Sequence, residues 1–360
     1  MRYRVINWGT GNVGIHALRA TIRNPRLDLV GLHAHSETKQ GKDAGAIAGL
    51  DTITGVLATN DVDALLALKP DVVIYTANGE MRPHEAVRDM QRILTAGINI
   101  VGIALIYLIY PPHADPALRE PLEAACIAGN STLFINGMDP GFSGDVLPLA
   151  ALQIADQVEQ IRVQEICNYG TYEDPDFTGM AFGFGQGPQA APLMSLPGVL
   201  TGTWGGMLKM VAEAIDVEIE EIREVYERYY ANEDFECAMM PVKAGTCSAV
   251  RFEVQGIVNG KPLIVAEHIN RLAHSEAPLW PSAPSNRLGV HRVIVSGNPS
   301  VQLECFVTGE DGDHNTGGVQ ATALRIINAI PQVVAHESGI ISTLDLRHTP
   351  TRNVRGTERG

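Results

Sequence analysis

Six residues near the start constrain this chain more than any others: Gly9-Thr10-Gly11-Asn12-Val13-Gly14. They follow a short apolar run, Tyr3 to Trp8. They open a segment, Asn12 to Arg23, whose Val13, Ile15, Leu18 and Ile22 recur at helical spacing. A strand, a glycine turn and a helix in that order make the first half of a βαβ unit. Each glycine has a physical role. Gly9 permits the tight turn, Gly11 lets the backbone approach a pyrophosphate, and Gly14 lets the helix pack on the strand. The helix start then offers free N–H groups and a partial positive charge to a phosphate. The glycines alone also fit a turn with no ligand. The strand before them and the helix after them favour a dinucleotide.

The same rhythm continues. Strands are expected at Leu27 to Ala34, Val72 to Ala77, Ile98 to Ala104 and Leu133 to Asn136, separated by helices near Ala64, at Glu85–Thr95 and at Pro116–Ala128. Nearly continuous apolar runs of this kind suit parallel strands buried on both faces, so the class is α/β with a doubly wound parallel Rossmann sheet. The character changes after Asn136. A helix is expected at Asp145–Asp156, then alternating stretches at Glu159–Glu165, Ala249–Val258, Leu263–Leu272, Arg292–Val295 and Val301–Thr308. These read as a second, α+β domain on a mainly antiparallel sheet. Helices are expected within it at Gly205–Ala214 and Ile219–Tyr229, and the Gly- and Pro-rich stretch Met180–Gly198 reads as a lid. A last helix, Thr316–Val334, is expected to pack back on the first domain. The boundaries are 1–137, completed by a C-terminal helix at about 316–346, and 138–315.

Composition narrows the function. The 360 residues carry a formal net charge of -14, which repels nucleic-acid phosphates and anionic membranes, so neither is expected as a partner. The five cysteines are odd in number and form no CxxC, which suits reduced thiols in the cytoplasm and no metal site. The apolar run Ile100 to Tyr110 has about half of the roughly 20 residues that a spanning helix needs.

The end of the second strand selects the dinucleotide. It reads Ala34-His35-Ser36-Glu37-Thr38-Lys39. His35, Ser36 and Lys39 suit a 2′-phosphate, which favours NADP; Glu37 leaves NAD open. Lys39 fits a solvated loop equally well. Thr76-Ala77-Asn78 ends another strand at the edge where cofactors lie, although Asn78 also suits a plain turn.

Four stretches, with Asn328-Ala329-Ile330-Pro331 near the end, carry a family resemblance. They are Arg4 to Gly14; His35-Ser36 to Lys39 with Gly41 and Asp43-Ala44-Gly45; Asn136-Gly137-Met138-Asp139-Pro140-Gly141-Phe142; and Ala266-Glu267-His268 with Arg271. The chain resembles the dihydrodipicolinate-reductase-like superfamily, and within it 2,4-diaminopentanoate dehydrogenases and native amine dehydrogenases. The resemblance implies a homodimer built through the second domain, which holds the substrate. It implies hydride transfer between a nicotinamide and an imine or amine carbon. It places Asn136, Pro140 and Gly141 beside the nicotinamide, and the turn Asn168 to Tyr172 and His268 toward the substrate.

One departure stands out. Such amine dehydrogenases carry a glutamate shortly after the strand matching Ile98–Ala104, and Gly102 to Pro111 contains no carboxylate here. That argues against activation of ammonia and leaves reduction of a preformed imine or of a ketone open. The His-His-x-x-Lys signature of the dihydrodipicolinate reductases is missing too. A proton donor must come from elsewhere. Tyr169, Tyr172 and His268 are the catalytic candidates, each of which also fits simple packing, with Glu80 and Tyr107 behind them. Ile103, Leu105, Ile106, Phe142, Asn168 and Met180 are the candidate pocket residues, for a small and largely apolar substrate. The expected function is an NAD(P)H-dependent amine or imine oxidoreductase. The alternatives are a carbonyl reductase or alcohol dehydrogenase on the same fold, and a non-catalytic dinucleotide sensor.

Overall fold

Apolar residues at every position of the first strands decide the first layer. The computed structural model describes residues 2–172, 174–284 and 287–354. The chain divides into two compact units, Met1–Met138 with Val319–Gly360, and Asp139–Gly318. In the first unit β1 (Tyr3–Trp8) leads through the glycine turn to α1 (Asn12–Arg23) and β2 (Leu27–His33). The alternation continues with α2 (Ala44–Ala48), β3 (Ala58–Thr59), α3 (Val62–Ala67), β4 (Val72–Tyr75) and α4 (Pro83–Thr95). It ends with β5 (Asn99–Gly102), α5 (Pro116–Gly129) and β6 (Thr132–Ile135). The strands lie in the order β6-β5-β4-β1-β2-β3, and each pairing is parallel. This is the Rossmann order, which the sequence predicts.

Successive side chains of a strand point to opposite faces, so one strand feeds two cores. Ile6, Val73, Tyr75 and Ile100 pack with Met90 and Ile93 of α4 and Leu122 of α5. Val5, Val72, Ile74 and Val101 pack on the other face. Burying one such side chain contributes about 1.5–3 kcal/mol, which is why polar residues are excluded from these runs.

The second unit contains α6 (Val146–Leu152), β7 (Gln157–Asn168), α7 (Pro175–Phe182), α8 (Val199–Ala214) and β8 (Glu221–Tyr230). Two short strands, β9 (Phe235–Glu236) and β10 (Pro241–Val242), pair with each other. Then come β11 (Cys247–Val258), β12 (Lys261–Arg271), β13 (Gly289–Asn298) and β14 (Val301–Cys305). The order is β14-β13-β7-β12-β11-β8, with only β7 and β12 parallel among these described strands.

Three expectations need correction here. The helix expected at Ile219–Tyr229 is strand β8, which pairs with β11 along its length. Part of the expected lid is helical, because α7 reaches Phe182, and α8 begins at Val199. The C-terminal segment also differs from a single long helix. α9 (His314–Val333) stops early, and β15 (Gly339–Ile341) joins the first sheet in parallel beside β6. Ile326, Ile327, Ile330 and Val333 of α9 complete the core around Val5 and Ile74.

Candidate active site

The first unit offers a phosphate cradle. Asn7, fully buried on β1, donates through Nδ2 to the Gly9 carbonyl (3.0 Å) and more weakly to that of Gly14 (3.4 Å), bracing the turn from below. Gly9 has φ +112°, and a Cβ there would lie 2.8 Å from Thr76 Oγ1. Thr76 in turn donates to the Trp8 carbonyl (3.1 Å). At Gly14 a Cβ would come within 2.5 Å of the Gly9 oxygen. At Gly11 it would meet nothing within 4 Å. The three glycines therefore split: two are required by the fold, and Gly11 leaves room for something outside it. No side chain caps the start of α1, and its first turn holds no acidic residue. An uncapped helix N-terminus with open space at its glycine fits a pyrophosphate.

The residues after β2 extend this cradle. Lys39 reaches back to the turn, with Nζ 2.8 Å from the Thr10 carbonyl and 3.1 Å from its hydroxyl. Ser36 and Thr38 share a hydroxyl hydrogen bond (2.8 Å), and His35, Ser36 and Glu37 are exposed. Asn12 is exposed at the helix start and Val13 half-buried. Ala77 packs at the edge of the core, while Asn78 accepts from the Met81 N–H (3.1 Å), the geometry of a turn former. Asn136 is held inward: Arg325 Nε donates to its Oδ1 (3.0 Å), and its Nδ2 reaches Thr343 (3.3 Å). Pro140 and Gly141 are buried and belong to the second unit.

The second unit brings together groups that the sequence separates widely. β7 places Glu165 opposite His268 of β12 on one side and His291 of β13 on the other. All three therefore share one face of the sheet, with Phe252 opposite His268. His268 Nε2 lies 3.1 Å from Asp139 Oδ1, and its Nδ1 lies 3.5 Å from Glu165 Oε1. Trp204 of α8 donates through Nε1 to the same Asp139 oxygen (2.8 Å), and the Ser143 hydroxyl is 2.6 Å from Asp139 Oδ2. Tyr169 donates its phenol to Glu165 Oε1 (2.8 Å), and Asn270 Nδ2 does so as well (2.9 Å). Tyr169, Glu165, His268 and Asp139 thus form one chain of hydrogen-bonding groups. Tyr172 stacks on Tyr169 with ring centres 5.3 Å apart.

The electrostatics follow from burial and pairing. Burial alone would lower the His268 pKa, but the charges of Asp139 and Glu165 outweigh it and raise it to about 10. Burial would raise the Glu165 pKa, but the imidazolium beside it holds this carboxylate well below its usual range. Burial and the Glu165 charge push the Tyr169 phenol well up, so it keeps its proton. Asp139, Glu165 and His268 lie close enough together to hold a cation. However, the imidazole gives a different nitrogen to each carboxylate, which suits a shared proton better than a shared metal ion.

A stability consequence follows. A histidine whose folded pKa is raised stabilises the fold fully below its unfolded value of 6.5, and that contribution is lost as pH climbs toward 10. The melting temperature should therefore fall between those limits in the wild type, and fall less in His268→Gln. Parallel pH dependences in a fluorimetric melt would contradict the charged state.

The other predicted residues scatter. Ile103, Leu105 and Ile106 belong to the first unit, and Leu105 is wholly buried in its core. Phe142, Asn168 and Met180 belong to the second. Asn168 Oδ1 accepts from the Gly170 N–H (2.8 Å), so its side chain shapes the turn, while Met180 is exposed. Glu80 accepts from the Ile106 N–H (3.2 Å), so a carboxylate lies beside the stretch that has none of its own. Sequence reasoning missed Asp139, Glu165 and Asn270. The available signal was a polar residue at alternate positions of apolar strands, Glu165 and Cys167 in β7, His268 and Asn270 in β12.

Comparison with known proteins gives concordant results. Residues 145–356 match the family described as the 2,4-diaminopentanoate dehydrogenase C-terminal domain. An amine dehydrogenase from Streptomyces virginiae is 41% identical over 345 residues, covering 95% of this chain and 96% of that protein. The structure of an amine dehydrogenase from Mycobacterium smegmatis superimposes with a TM-score of 0.76 at 17% identity, covering 98% of each chain. A dihydrodipicolinate reductase from Paenisporosarcina sp. TG-14 superimposes with a TM-score of 0.52 at 12% identity, covering 96% of this chain and 99% of that one. At such identities these two structures speak for the fold alone.

Proposed function

Because this chain belongs to the 2,4-diaminopentanoate dehydrogenase and amine dehydrogenase family, we propose that it reduces a C=N carbon to an amine, reversibly, with Tyr169 as the proton donor. The family makes it an NAD(P)-dependent oxidoreductase acting on an amine. When bound, the nicotinamide supplies the hydride for the carbon. The observation that carries the proton assignment is the chain from Tyr169 through Glu165 to His268 and Asp139. Tyr169 is half-buried as a residue and ends the set, with its phenol hydrogen-bonded to Glu165. It gives its proton to the substrate nitrogen as that atom takes up the electron pair of the C=N bond. Glu165 then passes a proton from the His268 imidazolium back to the phenol oxygen. Asp139, Trp204 and Ser143 hold the far end of the chain. In the oxidative direction the same groups take up the proton.

Ammonia use regains support from Glu165. A buried carboxylate beside the proton donor offers what the stretch after β5 lacks. Phe182 and Phe184 stand edge-on to Tyr169, at 5.9 and 6.3 Å, and their packing fixes its ring beside Glu165. The reading is tested by comparing NADPH oxidation with a ketone plus ammonia, with a preformed cyclic imine and with the ketone alone.

For the cofactor we favour NADP. The support is Lys39, drawn onto the phosphate turn beside an exposed Ser36. Replacing both should lower the NADPH-to-NADH ratio of kcat/KM by about tenfold or more, since charge-assisted contacts to a 2′-phosphate are lost. An unchanged ratio would remove the basis for this choice. A homodimer and a cytoplasmic location complete the reading. No helix among the described residues is long and apolar enough to cross a membrane.

A further inference from the structure

We infer that Asn315 is a positioning residue for the proton donor: with Asp313 and His314 it forms a clasp on the turn that carries Tyr169, and through that turn it sets where the phenol points. This rests on the reading in which Tyr169 gives the proton. All of these residues belong to the second unit.

The turn begins where β7 ends, at Asn168. Beyond that point strand pairing no longer fixes the backbone, so other groups must. The peptide between Asn168 and Tyr169 is held at both of its polar atoms. Asn315 Nδ2 donates to the Asn168 carbonyl (2.9 Å), and the Tyr169 N–H donates to the Arg271 carbonyl (2.6 Å). The buried Asn315 amide also donates to the Thr171 hydroxyl (2.8 Å). Thr171 donates its own proton to Asp313 Oδ2 (2.6 Å), and Asp313 Oδ1 caps α9 by accepting from the Thr316 N–H (2.8 Å). One amide and one carboxylate therefore bracket Tyr169, gripping the residue before it and the second residue after it. Gly170 stays tied by Asn168 Oδ1 (2.8 Å) and by the Met239 N–H (2.8 Å), so loss of Asn315 loosens the turn without releasing it.

His314 makes the third contact. Its Nδ1 faces the Val307 carbonyl (3.3 Å) and so carries the ring proton, which leaves Nε2 to accept from the Cys167 thiol (2.8 Å). Burial and the Glu165 charge push the Cys167 thiol well up, so it keeps that proton. β13 makes room with Gly289, opposite Cys167, where a Cβ would lie 2.1 Å from His314 Nε2. Three consecutive residues thus reach Thr171, Cys167 and Asn168 at one strand end. Apolar contact would suffice to seat a helix start. Only directed hydrogen bonds fix the rotation of a peptide plane, and that rotation decides whether the phenol meets Glu165 or swings away.

The test combines kinetics with a direct view of the ring. With NADPH and a preformed cyclic imine, Asn315→Ala should lower kcat by about 10–100-fold and leave KM within about twofold, since a small misplacement of a reacting group costs rate and not affinity. In a Tyr169→Phe background the same substitution should change kcat by less than about threefold, because Asn315 acts through a phenol that is already gone. Fluorine NMR of the protein with 3-fluorotyrosine in place of Tyr169 should show the resonance shifted or broadened by Asn315→Ala. Thr171→Val removes both hydrogen bonds of the hydroxyl and should act in the same direction, which covers the case in which Asn315→Ala does not fold. An equal loss of kcat in both backgrounds would make Asn315 a packing residue and overturn the inference. An unmoved resonance in the folded variants overturns it too. Failure of the catalytic reading looks different: Tyr169→Phe keeps full kcat, although the resonance still moves.

Discussion

Tyr169→Phe should lower kcat for amine formation by about 10²–10⁴-fold, the range that a positioned general acid contributes, while the affinity for NAD(P)H stays unchanged. The phenol oxygen is the only atom removed. Glu165 keeps Asn270 and His268 as partners, so the carboxylate is not left alone (2.9 and 3.5 Å). Losing one hydrogen bond to a charged acceptor costs stability by about 1.5–3 kcal/mol, which the variant should survive. Steady-state kinetics separate the two effects: a transition-state proton donor lowers kcat and kcat/KM together, whereas a packing residue changes mainly KM. Tyr172→Phe should have a much smaller effect, because Tyr172 contributes its ring to the stack on Tyr169. Full kcat in Tyr169→Phe would move the donor elsewhere, with Tyr107 beside Glu80 the next group to test. Burial and the Glu80 charge hold that phenol protonated as well.

Gly11→Val should weaken NAD(P)H binding by about 100-fold or more while leaving the melting temperature nearly unchanged. A Cβ at Gly11 meets nothing within 4 Å, and φ there is −78°, which any residue adopts. The protein therefore tolerates the side chain, and only a ligand whose phosphates approach this backbone would not. Gly14→Val provides the contrast. Its Cβ would press within 2.5 Å of the Gly9 oxygen, so the helix must shift and the protein should melt at a lower temperature. A Gly11→Val variant that binds NAD(P)H normally would show that the cofactor does not lie on this turn. The pair separates a glycine kept for the ligand from a glycine kept for the fold, a difference that the motif itself does not reveal.

The first unit is legible in the sequence because burial on both faces forces continuous apolar runs, and only a few arrangements of such strands exist. Strand β8 is not. Ile222, Val225, Tyr226 and Tyr229 fall at the spacing of an amphipathic helix. Yet Ile222, Tyr226 and Tyr230 also alternate with exposed charges, as in a strand. Ten residues of pairing with β11 settle the tie, and that partner is distant in sequence. The site shows the same division. Tyr169 and His268 are visible because their side chains can transfer protons. Their partners are not, because Glu165 and His268 become neighbours only through the parallel pairing of β7 with β12. Asp139 is equally hidden inside the junction that the resemblance picks out. Asn136 is expected at the cofactor, and its amide is positioned by Arg325 and Thr343, partners far away in sequence. A motif fixes where the backbone goes, whereas the partners of a buried charge depend on register.

Amine formation at a proton donor with a carboxylate beside it is what the proposed function stands on, and one labelling experiment decides it. The protein is supplied with NADPH, a small apolar ketone and isotopically labelled ammonium, and the product is identified by mass spectrometry. The expected product is the amine carrying the labelled nitrogen, formed in step with NADPH consumption, with no oxidation of NADPH when ammonium is omitted. Formation of the alcohol at an equal rate with or without ammonium would contradict amine formation and make the chain a carbonyl reductase.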